Sequence, residues 1–213
     1  MMASPFGRIW QRLTGNRQTA QPPIIVVSGL PRSGTSMMMQ MLAAGGMEML
    51  TDQLRQADED NPKGYFEFEK VKSLTENASW MDIASGKAIK IIASLLPYLP
   101  SAYTYKVILM ERHLQEVLAS QQIMLQNRGA DTSGPDDATM GELLAQNLSD
   151  AKAWLRQQAH IDVLVVRHAD AMAEPLACAQ RIRQFVEQPL DVHAMAAVVD
   201  PSLYRNKASR GNP

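Results

Sequence analysis

Between a short β-branched run at residues 24–28 (IIVVS) and a methionine-rich, helix-forming series from Met37 lies the octapeptide GLPRSGTS, residues 29–36. A strand that enters a glycine-bearing turn and then a helix gathers successive backbone N–H groups and the positive end of the helix dipole into one concave anion site. Gly34 lets the backbone approach an oxygen closely, Ser33, Thr35 and Ser36 offer hydroxyl donors, and Arg32 adds a full charge. The competing reading is a plain helix cap with an incidental arginine. The strand before and the helix after argue against it.

The rest of the chain repeats that alternation. Strands are predicted at 88–92, 106–111 and 161–166, and helices from His113 to Gly129, over 140–158 and over 175–187. A further helix is predicted from about Glu69 to Trp80, and the polar stretch 130–138 is read as a loop and candidate lid. Strands alternating with helices imply an α/β, three-layer fold like that of P-loop nucleotide triphosphatases, with a mainly parallel sheet flanked by helices. We divide the chain into a lead-in, 1–23, and one α/β domain, 24–213.

Composition narrows the function classes. A formal charge of −1 argues against coating nucleic acid, which demands an excess of cations. The single cysteine, Cys178, excludes an intrachain disulfide and any multi-cysteine metal site. No apolar run reaches the roughly 18–20 residues of a membrane span, and we read the chain as cytoplasmic. Phe6, Ile9, Trp10 and Leu13 fall at helical spacing around Arg8 and Arg12, which fits a docked lead-in helix or, less simply, contact with a membrane surface. Before Glu48 the chain has cations and no acids, and after Asp200 the tail carries only Arg205, Lys207 and Arg210.

The glycine frame from Gly29 to Gly34 is that of a nucleotide-triphosphatase loop, but Thr35 stands where the lysine for the β- and γ-phosphates belongs. No strand ends in a persuasive magnesium-binding aspartate. A phosphotransferase using ATP therefore stays open as an alternative without its main charge-neutralising group.

Residues 31–36, PRSGTS, resemble the 5′-phosphosulfate loop of the sulfotransferases that use 3′-phosphoadenosine 5′-phosphosulfate (PAPS). Arginine at position 32, where many members have lysine, is similar to the tyrosylprotein branch and several bacterial members. The resemblance implies that Arg32, Ser33, Gly34, Thr35 and Ser36 hold the 5′ end of the donor. It extends to VILMERHLQEVLAS, in which Arg112 and Ser120 occupy the family's 3′-phosphate positions, and to AIKIIASLLPYLP, which points to Lys90. The family's histidine base would fall at Ile92, a departure. His168 takes the place of a tyrosine near the adenine, and Arg205 and Lys207 are candidates for a basic element over the 3′-phosphate.

The resemblance thus implies a sulfotransferase: in-line transfer of a sulfuryl group from PAPS to a hydroxyl or amine acceptor, leaving 3′-phosphoadenosine 5′-phosphate (PAP), with no metal required. Arg32 and Lys90 would stabilise charge, and Glu67 in NPKGYFEFE is the best candidate base, with Glu69 and Glu48 as fallbacks and His113 less suited. A non-catalytic nucleotide-binding relative is the remaining alternative. Met37, Met38, Met39, Met41, Met47 and Met49 either fill the core or line an adaptable acceptor pocket.

Overall fold

The computed structural model describes residues 21–52, 54, 64–127, 129 and 136–203 of the 213. At its centre stands β1 (Ile24–Gly29), buried at every position, which is why its sequence runs apolar without alternation. β2 (Ala88–Lys90), β3 (Tyr105–Glu111) and β4 (Ile161–Arg167) complete a four-stranded sheet of order β2-β1-β3-β4. Every pairing is parallel, with Val27 opposite Lys90 and Ile108, and Glu111 opposite Arg167.

Alternate residues of β1 feed two cores. Ile25 and Val27 pack with α1 (Thr35–Ala44), α5 (Pro175–Val186) and α6 (Val192–Ala197). Ile24 and Val26 pack on the opposite face with α3 (Asp137–Leu155) and with short 3₁₀ segments such as Ala93–Tyr98. α2 (Leu114–Asn127) lies against α3, and the short α4 (His168–Ala173) continues directly from β4. The sheet is therefore sandwiched by helices, as the alternation predicted.

The methionines of α1 divide simply. Met38, Met39 and Met41 are fully buried in the first core with Met47, while Met37 and Met49 pack against its margin. Each buried side chain contributes about 1.5–3 kcal/mol of transfer free energy, so these residues fill the core rather than line a pocket.

Two expectations need correction. No α-helix runs from Glu69 to Trp80; the chain makes 3₁₀ turns at Glu69–Ser73 and Met81–Ala84. Between them Asn77 accepts from the Ser79 N–H through its side chain and from the Trp80 indole through its carbonyl, which diverts the backbone from a helical ladder. In the other case α3 starts three residues early, because Asp136 caps it by accepting from the Thr139 N–H at 2.8 Å. Of the candidate lid, residues 130–135 lie outside the described residues, as does the lead-in up to residue 20. No described helix is long and apolar enough to cross a membrane.

Because all strands run the same way, Gly29, Lys90, Glu111 and Arg167 end at one edge of the sheet. That edge, with the strand-to-helix loops rising from it, is where an open parallel sheet offers a crevice.

Candidate active site

The loop after β1 is held by its backbone. Ser33 N–H closes a turn onto the Leu30 carbonyl at 3.1 Å, Arg32 takes a left-handed φ of 69°, and Gly34 follows at 99° as the residue that caps α1. Gly34, as the cap residue, offers no side-chain acceptor to the first amides of α1. Neither glycine tolerates a side chain. A Cβ on Gly29 would sit 2.6 Å from the Met110 carbonyl, and one on Gly34 would sit 2.6 Å from His168 Cδ2. The hydroxyl of Ser33 is buried and has no hydrogen-bond partner among the described residues. Such an orphan costs about 1–3 kcal/mol unless an oxygen-rich ligand satisfies it.

Arg112 arrives from the β3–α2 junction and Ser120 from the second turn of α2, and both are hydrogen-bonded to Arg32. Arg32 Nε donates to Ser120 Oγ at 2.9 Å, and Arg112 Nη1 donates to the Arg32 carbonyl at 3.2 Å. Arg32 on the loop and the pair Arg112 and Ser120, far apart in the sequence, are thus hydrogen-bonded to one another. Arg112 has a further partner that sequence reasoning missed. Its Nε donates to Glu116 Oε2 at 2.9 Å, and both side chains are nearly buried, at 10% and 6% exposure. The signal was present, since Glu116 follows Arg112 by four residues at the entry to a predicted helix, within side-chain reach.

His168 opens α4 at the end of β4 and packs its ring against Gly34. Burial disfavours the imidazolium there, and the nearby Arg112 charge adds to the effect while Glu116 opposes it; the pKa falls from 6.5 to about 4. The ring is therefore neutral near pH 7, and it borders the loop after β1.

A second group assembles beside β2. Lys90 Nζ donates to the Tyr65 carbonyl and lies 3.6 Å from Glu67 Oε1, so the two candidates named from the sequence meet. Glu67 is placed by its backbone: its carbonyl accepts from Thr51 Oγ1 at 2.8 Å and from the Asp52 N–H at 3.2 Å, and Phe66 before it takes a left-handed φ of 52°. The fallback acids are engaged elsewhere, Glu48 with Lys87 at 2.6 Å and Glu69 with Lys72 at 2.8 Å. Glu111, at the end of β3, pairs with Lys152. Ile92 is exposed where the family's histidine would fall, and exposed His113 accepts the Glu116 N–H at its carbonyl. Arg205 and Lys207 lie outside the described residues.

No protein-family model matches the chain, and no curated protein sequence matches it. Solved structures do. Mouse sulfotransferase SULT7A1 complexed with PAP superposes with a TM-score of 0.56 at 17% identity, covering 89% of this chain and 68% of that one. The sulfotransferase domain from the curacin biosynthetic pathway gives 0.54 at 15% identity, covering 90% of this chain and 94% of that one. At these identities the likeness lies in the backbone. The protein has the sulfotransferase-family fold.

Proposed function

We propose that the chain is a sulfotransferase that takes the sulfuryl group of PAPS and transfers it to a hydroxyl or amine acceptor. The observation that carries this reading is the joined cluster of Arg32, Ser120 and Arg112 on a left-handed phosphate loop, within a fold shared with a sulfotransferase complexed with PAP. The residues fit such a donor. The amides of 33–36 with the hydroxyls of Ser33, Thr35 and Ser36 would hold its 5′ end, and the orphaned Ser33 hydroxyl would gain an acceptor there. Arg112 and Ser120 would hold the 3′-phosphate, which a planar guanidinium can meet with two parallel donors.

When bound, PAPS supplies an activated sulfuryl group on a phosphate leaving group. The chain's own contribution is positioning and charge. Arg32 would stabilise the negative charge that grows on the leaving oxygen. Lys90, anchored by the Tyr65 carbonyl, orients Glu67, and Glu67 removes the acceptor's proton. A phosphotransferase using ATP would want a lysine at position 35, where Thr35 stands.

The test is turnover of labelled PAPS against alcohol, phenol, glycan, peptide and amine acceptors, alongside binding of PAP and of ATP with magnesium. Transfer to one acceptor class supports the reading. Tighter binding of ATP with magnesium would favour the phosphotransferase, and PAP binding without turnover across the panel would favour a binding module.

A further inference from the structure

Four side chains link the phosphate loop to α2 in a closed ring. From the loop, Arg32 reaches Ser120 with its side chain and receives Arg112 at its carbonyl. From α2, Glu116 holds Arg112 through Nε. Glu116 and Ser120 are one helical turn apart, so one face of α2 grips the loop twice, once by its backbone and once by its arginine. The grip has something to hold. Arg32 is a non-glycine residue at φ 69°, a conformation that costs about 1–2 kcal/mol and persists only where neighbours enforce it.

We infer that Glu116 and Arg112 form a strut that sets the shape of the phosphate loop, so that the two phosphate sites work as one coupled unit and Glu116 is a positioning residue for both. Glu116 is an odd resident of an anion site on any other account. Its carboxylate repels phosphate, and burying it is costly unless it is paired. The geometry supplies the compensation. By taking Nε, Glu116 turns the Nη edge of Arg112 toward the loop, where Nη1 meets the Arg32 carbonyl. A 3′-phosphate that seats on Arg112 then stiffens the residue that shapes the 5′ site, and a 5′-phosphate that orders the loop fixes Arg112 for the 3′ site. Such reciprocity is what shared residues require of binding energies.

The identity of the ligands rests on the proposed function; the strut does not, and the experiment separates them. Amide hydrogen exchange of the unliganded protein is followed over 30–36 and, as reference, over 105–110. Glu116→Met removes charge and acceptor at similar volume, Glu116→Gln keeps an acceptor oxygen for Arg112 Nε, and Arg112→Lys keeps the charge but cannot fork. Glu116→Met and Arg112→Lys are expected to speed exchange over 30–36 by about tenfold with the reference unchanged, and Glu116→Gln to stay near wild type. In binding assays the same two variants should weaken 5′-AMP, which has no 3′-phosphate, by roughly fivefold or more. Charge alone demands the opposite of Glu116→Met, because it removes a negative group from the site. Unchanged loop exchange in both variants, or 5′-AMP bound as tightly as by wild type or tighter, overturns the strut. Should Glu116→Met fail to fold, Arg112→Lys decides the matter. If the wild type binds neither PAP nor 5′-AMP, the sulfotransferase reading fails, while the exchange result still decides the strut.

Discussion

Arg32 and Ser120 stand 88 residues apart in the chain, and Arg32 Nε donates to Ser120 Oγ at 2.9 Å. A hydroxyl that accepts from a guanidinium still has its own proton to give, and the bond it receives makes it a better donor. Ser120 can thus serve a 3′-phosphate without releasing Arg32. Ser120→Ala should weaken PAP by about tenfold and 5′-AMP by no more than about threefold, measured by titration calorimetry. Equal losses for both ligands would mean that Ser120 only props Arg32.

Glu67 lies 3.6 Å from Lys90 and is fixed through its backbone by Thr51 and Asp52. Glu67→Gln preserves shape and hydrogen bonding but cannot take a proton. Turnover should fall by roughly 100-fold or more while PAP affinity stays within about twofold. Near-wild-type turnover would remove Glu67 from the mechanism.

Gly34 combines a φ of 99° with His168 Cδ2 lying 2.6 Å from where a Cβ would be. Gly34→Ala should cost about 1–3 kcal/mol, lower Tm by several degrees and weaken PAP by more than about tenfold. Adding His168→Ala should recover the steric part of the lost stability and leave the backbone part. Full recovery would show that the left-handed conformation carries no cost here.

His168 supplies the pH dependence. Its folded pKa is depressed from 6.5 to about 4, first by burial and then by Arg112. Between those values the unfolded chain binds more protons than the folded one, so stability rises with pH. The contribution is complete above about pH 6.5 and is lost as pH falls toward 4, with a span on the order of a few kcal/mol. His168→Gln should flatten Tm against pH over that interval. A variant with the wild-type slope would place the titration elsewhere.

The glycine-bearing turn and the individual strands could be read from the chain because each is local in sequence: a continuous apolar run such as 24–28 specifies a strand covered on both faces, and GLPRSGTS specifies the turn that follows. Lys90 beside Glu67 was foreseen only as two separate candidates, since their meeting depends on how Tyr65 and Phe66 turn back across β2. The bond that joins Arg32 to Ser120 was not legible either. It depends on a contact across 88 residues, which only the parallel pairing of β1 with β3 brings about. Glu116 was not singled out from the sequence, because its burial and its pairing with Arg112 are set by how α2 packs. The expected helix ending near Trp80 failed where the Asn77 side chain outcompeted the backbone ladder.

The most direct test compares the affinities of PAP, 5′-AMP and ATP with magnesium for the wild type and for Arg112→Ala, by calorimetry at fixed salt. The wild type should prefer PAP over 5′-AMP by about 100-fold and over ATP with magnesium, and Arg112→Ala should shrink the first preference to within about fivefold. A wild type that favours ATP with magnesium, or a variant that keeps the full preference for the 3′-phosphate, would contradict the account.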